Sequence, residues 1–167
     1  MPHSSLRRGA SVAIGAVFFA SLSRSQISHE NPPRLDSSKV IISRLATFGG
    51  TVLVSGVGVH FARYAPLWKN HYTPFRVRED FAYAQNQDKL LHFYGGVVGS
   101  TISAKALSWS GYGQPSASLL GAATSLAFLT FMKIEDGYID YLGFDRVDEV
   151  ANILGAAYPL AQYYAPF

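Results

Sequence analysis

"QDKLLHFYGG" at residues 87–96 and "IEDGYIDYLGFDRVDEVANILG" at residues 134–155 gather Asp, His, Glu and Asn at the edges of apolar runs in a largely apolar chain. Asp88 and His92 stand four residues apart in the first stretch, as do Asp148 and Asn152 in the second. Four residues is about one helical turn, so each pair shares a helix face. Gly95 and Gly99 continue the first stripe as a small-xxx-small pair, the kind that faces another helix. Asp148, Asn152 and Gly155 form a matching stripe, with Ala151 beside it and Glu149 about 100° away on the side expected to face solvent. Both polar stretches are therefore read as helix ends.

Four helices follow from this reading. Residues 40–64, apolar and Gly-rich, form the first; 88–108 the second; 116–136 the third, stopping at Gly137; and 146–164 the fourth, with Asp145 as its cap. Residues 65–87 read as a polar, aromatic connection in which Trp68, Tyr72, Phe75, Phe81 and Tyr83 cover one end or anchor at an interface. "SGYGQPSAS" is a turn punctuated by Gly and Pro. The expected fold is all-α: an antiparallel four-helix bundle of apolar helices, membrane-associated or transmembrane.

Upstream, Arg7 and Arg8 precede an apolar run from Gly9 to Leu22, with small Ser21 and Ser23 at a cleavage-like spacing around its end. Residues 1–23 read as a signal peptide or an N-terminal anchor. Residues 24–39, with Pro32 and Pro33, read as a polar linker, and 40–167 as a single helical domain. Only 15% of the 167 residues are charged and 49% are hydrophobic, whereas soluble domains carry about 25% charged residues. This composition points to an envelope or membrane setting. Threading all five apolar segments through a membrane puts Arg7, Arg8, Arg63, Lys69, Arg76, Arg78, Lys89, Lys133 and Arg146 on the cytoplasmic side. That is the majority of the 14 basic residues. These residues are dispersed, with no basic stripe for nucleic acid. The chain has no Cys, which removes disulfides, thiolate catalysis, Cys-ligated zinc and a cysteine-linked lipid.

In an antiparallel bundle the start of the second helix, the end of the third and the start of the fourth lie at one end. Asp88, His92, Glu135, Asp136, Asp148 and Asn152 are therefore expected to converge at that end, with Asp88, His92, Glu135, Asp148 and Asn152 as the polar site. Glu135 is preferred to Asp136 as the inward residue because it follows Phe128 and Phe131 by seven and four positions. An ionised group inside an apolar bundle costs about 2.5–3.5 kcal/mol on insertion scales, so a retained one is paired or useful. Taken singly, Asp88 and Asp148 also suit helix-start acids, His92 a structural histidine, and His60 and His71 incidental positions.

The same residues resemble a known family. Asp88, Lys89 and His92, then Glu135, Asp136 and Gly137, then Asp148, Asn152 and Gly155, match the motifs of the YfiM-like predicted periplasmic lipoproteins, a domain family of unknown function. The similarity runs from about Val59 to Tyr164. A looser likeness is to VanZ-like membrane proteins, which implies helices inside a bilayer. The resemblance implies a bacterial cell-envelope protein on the periplasmic side or in the inner or outer membrane. It brings candidate residues without a reaction.

The expected function is a binding or structural role for the polar cluster, with membrane lipid as partner and a protein partner open. The alternative is acid–base or metal-assisted chemistry on a lipid or envelope precursor. His92 would then carry the proton, Asp88 or Asp148 would orient it, Glu135 would be a second acid or base, and Asn152 would position substrate. No nucleophilic Ser or Cys stands in these motifs, so hydrolysis would need an activated water. The cofactor is left open: one His with several carboxylates suits oxygen-preferring ions or iron, but the di-iron signature Glu-x-x-His is absent.

Overall fold

A computed structural model describes residues 40–79 and 87–165. The expected signal or anchor (1–23) and linker (24–39), and Phe81 and Tyr83, lie outside the described residues.

Four helices and no strand make up the described chain. The first, α1, is α-helical over Ile42–Val59, passes through a π-helical turn at His60–Tyr64 and resumes over Ala65–His71. It thus continues one to two turns past the expected end at 64. The Ala65 N–H reaches back five residues to the His60 carbonyl. Pro66 follows directly; it has no N–H to donate, and its ring crowds the carbonyl one turn back. The wider turn accommodates that defect without ending the helix. The other helices are α2 (Gln87–Trp109), α3 (Gln114–Asp136) and α4 (Arg146–Tyr164), within one or two residues of the sequence reading. Asp145 caps α4, its Oδ1 accepting from the Val147 and Asp148 amides at 2.7 and 3.4 Å.

The packed unit is α2, α3 and α4, joined through small residues. On the α2–α3 contact, Ser125 donates its hydroxyl to the Gly96 carbonyl at 3.1 Å, Gly99 lies against the Ser125 side chain, and Gly121 lies against the Ala104 backbone. Numbers rise on α2 as they fall on α3. On the α2–α4 contact, Gly96 lies against Gly155 and Ala156, and Gly155 against the Phe93 carbonyl, with numbers rising on both. The close approaches are thus made by Gly96 and Gly99. Gly95, expected on the packed stripe, meets only the tip of Leu129 at an ordinary 3.8 Å. Because α2 contacts helices on two sides, no single stripe describes it.

The first helix does not complete a four-helix core. Between Ile42 and Val59 no residue is buried, and Leu53, Val54, Val57 and Phe61 are well exposed. It is tied instead at its two ends. At one, the Ile41 amide donates to the Ser110 carbonyl at 2.9 Å and Arg44 to the Trp109 carbonyl at 2.9 Å. At the other, fully buried Tyr64 donates to the Met132 carbonyl at 3.1 Å. Helices Ile42–His71 and Gln114–Gly137 are long and apolar enough to cross a membrane. Among the described residues these are the two that combine sufficient length with sufficient hydropathy. α2 and α4 carry charges and polar groups at their starts and along their length, which lowers their hydropathy.

The connection after α1 is clipped onto the turn between α3 and α4. Amides of Thr73 and Arg76 donate to the Tyr138 and Gly137 carbonyls, and across the bridge Val77↔Phe144 the Arg78 amide donates to the Phe144 carbonyl and the Phe144 amide to the Arg76 carbonyl. Trp68, Tyr72 and Phe75 gather on Tyr138, and Phe75 also meets Phe144. This places an aromatic cover at the polar end of the helices.

Candidate functional site

The starts of α2 and α4 and the end of α3 meet around buried Asp148. Lys133 Nζ sits 2.8 Å from Asp148 Oδ2, and Lys89 Nζ lies 3.2 Å from Oδ1. Lys89 also pairs with Asp145 at 3.4 Å, and Lys133 with Asp136, one turn on, at 3.4 Å. Arg63 approaches Asp136 from the π turn of α1 at 3.8 Å. With Asp88, 3.9 Å from Lys89, four carboxylates and two lysine ammoniums therefore interlock, with a guanidinium at the rim. Lys133, Asp136, Asp145 and Asp148 are all buried, a placement stable only because each charge has a partner.

His92 enters this network in a defined orientation. Buried Asn152 donates its Nδ2 to Glu149 Oε2 at 3.0 Å, and the other Glu149 oxygen accepts from the Thr130 hydroxyl. A carboxylate only accepts, so the Asn152 carbonyl Oδ1 faces His92 Nδ1, at 3.0 Å. Nδ1 must then carry the proton. Nε2 is directed at Asp88 Oδ1 and Asp148 Oδ2, at 3.7 and 3.5 Å. A relay of Thr130, Glu149 and Asn152 thus fixes the histidine tautomer and presents Nε2 to two carboxylates.

Burial and the adjacent Asp148 carboxylate hold the Asp88 carboxyl above its usual range, against the opposing pull of His92 and Lys133. For Lys89 burial works to lower the pKa, but hydrogen bonding and charge from Asp148, with Asp145, outweigh it and hold it above the usual lysine value. The Asp88 shift gives a stability test with a defined sign. Native Asp88 holds its proton more tightly than the unfolded chain. Its contribution is complete below the unfolded value near pH 4 and is lost as pH rises through the higher native value. Asp88→Asn does not lose it. The melting temperature of Asp88→Asn relative to wild type should therefore climb through that window and match or exceed wild type near neutrality. Calorimetry of both proteins across the acid range checks this; a variant melting clearly lower at neutral pH would make the Asp88 carboxylate a net stabiliser.

The cluster opens on a cleft of about 470 Å³ lined by Asp88, His92, Lys133, Asp136 and Asp148, with Arg63 and Arg78 also on its wall. Asp88, His92 and Asp148 each offer a ligand atom within 4.8 Å of the others, a donor set an oxygen-preferring ion or iron could use. Both oxygens of Asp148 already face lysine ammoniums, however, so a divalent ion would have to displace them.

Of the six residues expected to converge, Asp88, His92, Asp136, Asp148 and Asn152 do so. Glu135 does not. It lies on the other side of α3, where its Oε1 accepts from His60 Nδ1 at 3.0 Å. Asp136, set aside in favour of Glu135, is the α3 acid in the cleft. One residue step turns the helix by about 100°, enough to carry neighbouring acids to different partners. His60 is accordingly not incidental, and His71 pairs with Asp140 at 3.3 Å. Glu149, expected in solvent, is half-buried beneath Asn152. Lys133 was missed. Its signal is a lysine inside the apolar run of α3, three residues before Asp136.

A model of the family described as "Predicted periplasmic lipoprotein (DUF2279)" matches residues 79–164. The chain belongs to this family. The match spans α2, α3 and α4 and every residue of the ion-paired network except Arg63. It places this family member in the bacterial cell envelope, on the periplasmic side, and agrees with the YfiM-like resemblance. Comparison with curated proteins and with solved structures gave no match. The 167 residues contain no Cys.

Proposed function

We propose that this family member is a membrane-associated envelope protein whose cleft at the polar end of the helices binds a charged or strongly polar small group. One observation carries this reading: the Asp88–His92–Asp148 network faces an open cleft of about 470 Å³, where a purely structural knot would be sealed. Pockets with a few converging polar groups on an apolar scaffold are the usual form of small-molecule sites. The exposed apolar length of α1 and the composition of α3 favour a seat in or on a bilayer, in the antiparallel helical arrangement the short connections suggest. The ligand would then be the polar part of an amphiphile presented at that surface.

The test uses protein in mild detergent, stripped of lipid and returned to fractions of its own membrane extract. A ligand at about 100 times its Kd adds roughly 2.7 kcal/mol, which for a chain of this size raises Tm by roughly 5–10 °C. Wild type should gain that increment from one fraction, with or without chelator, and Asp88→Asn should lose most of it. If no fraction raises the wild-type Tm, the cluster is a structural knot.

A second reading, acid–base chemistry, draws on the fixed His92 tautomer. Nε2 beside two carboxylates is arranged to exchange a proton with a group in the cleft. In that case the stabilising fraction is consumed by wild type and left intact by His92→Ala.

A further inference from the structure

A second cavity lies apart from the network. Because α1 is tied to the other helices only at its ends, an apolar groove of about 550 Å³ remains between α1 and α3. Val52, Leu53, Val57 and Phe61 wall one side, and Phe128 and Phe131 the other. Residues 52–61 of α1 flank it, a length of about 13 Å at the helical rise. Gly56 opens it in the middle: a Cβ there would only just reach the Phe128 ring, at 4.0 Å.

The groove has one polar end, formed by His60 and Glu135. The Glu135 carboxylate accepts from His60 Nδ1, which leaves the lone pair of the neutral ring on Nε2. The His60 side chain is 28% exposed, and Nε2 has no hydrogen-bond partner among the described residues. Glu135 is more than nine-tenths buried, and its Oε2 is buried without any hydrogen-bond partner. Its one side-chain hydrogen-bond partner among the described residues is the His60 ring, and neither a lysine nor an arginine pairs with it there. Neighbouring cations are committed elsewhere: Arg63 to Asp136, and Lys133 to Asp148 and Asp136. The end of the groove thus holds two acceptor atoms and an acid with no fixed cation, below walls that suit a hydrocarbon.

We propose that this groove binds one aliphatic chain of a membrane lipid whose head carries an amine, with the ammonium donating to His60 Nε2 and Glu135. An ammonium supplies three donors and the missing positive charge, while a carboxylate or phosphate head would meet acceptors and like charge. The site is distinct from the cleft and does not depend on what the cleft binds.

The experiment labels the full chain, in mild non-ionic detergent, with photoreactive dodecyl probes that differ only in their heads: amine, alcohol and carboxylate. Labelled residues are mapped by mass spectrometry. The amine should label residues 52–61 and 124–131 saturably, with half-saturation about tenfold below that of the carboxylate, as expected of a charge-assisted hydrogen bond. Glu135→Gln should shrink that preference to about twofold. Gly56→Phe, which puts a ring opposite Phe128, should abolish saturable labelling for every head. Should that variant fold poorly, Leu53→Trp blocks the same groove from the exposed side. The proposal is overturned if amine and carboxylate label equally, if the carboxylate is preferred, if labelling spreads unsaturably along the exposed face of α1, or if neither blocking variant reduces it.

Discussion

Asp148→Asn is expected to be among the most damaging conservative substitutions in this chain, lowering stability by about 3 kcal/mol and Tm by roughly 6–12 °C. Both Asp148 oxygens face ammoniums, Lys133 at 2.8 Å and Lys89 at 3.2 Å. Asn keeps the shape and one acceptor but removes the charge. It also offers its amide N–H₂ to a lysine that can only donate. Lys133 then retains Asp136 alone, in a position with almost no access to water. Thermal melting checks the single variant, and the double variant Asp148→Asn, Lys133→Met separates its causes. If the loss arises from the orphaned ammonium, replacing Lys133 by an apolar side chain of similar length returns part of it. If the double variant is no better, Asp148 matters chiefly through His92 and Lys89.

Gly155→Ala is the second large effect. A Cβ at Gly155 would stand 2.0 Å from the Phe93 carbonyl oxygen and 2.7 Å from its carbon. Both are backbone atoms of α2, so no side chain can rotate away; the helices must separate. Overpacking of this kind costs about 1–3 kcal/mol and sometimes more, and the upper end is expected here. The separation also pulls on the hydrogen bond between His92 and Asn152, which joins the same two helices about one turn away. Gly95→Ala is the matched control. Its Cβ meets only Leu129 at 3.8 Å, and Ala in place of Gly within a helix gains up to about 1 kcal/mol. The two variants should therefore move Tm in opposite directions. Equal effects would mean that the α2–α4 contact is looser than these distances imply.

The contrast between Gly155 and Gly95 marks how far the sequence is legible. The helices could be read because each has local signals: Asp145 before an acidic first turn, Gly137 after an apolar run, and Gly and Pro between the second and third helices. The pairing of Asp88 with His92, and of Asp148 with Asn152, also followed from helical spacing alone. So did their meeting at one end, because short connections leave the helices little choice of direction. What spacing does not carry is the direction each stripe faces. Glu135 does share a stripe with Phe128 and Phe131, as its interval predicts. That stripe looks toward α1 and His60, however, while the face one residue on carries Asp136 into the cleft beside Lys133.

By itself, then, the sequence determined local matters: four helices, their limits to within about two turns, and two polar helix starts in an apolar chain. Those depend on neighbours within a few residues, where hydrogen bonding and side-chain spacing act directly. Only the tertiary structure decided which carboxylate met which cation. It showed that Lys133 and Lys89 fill the centre of the network, and that His60 pairs with Glu135 in a separate groove. It also showed that α1 stands off from the packed three. These are contacts between residues up to 75 positions apart. They depend on the rotation of each helix about its axis, which is fixed where Gly96, Gly99, Gly121 and Gly155 let backbones touch. A change of one residue in that rotation, about 100°, is enough to exchange Glu135 for Asp136.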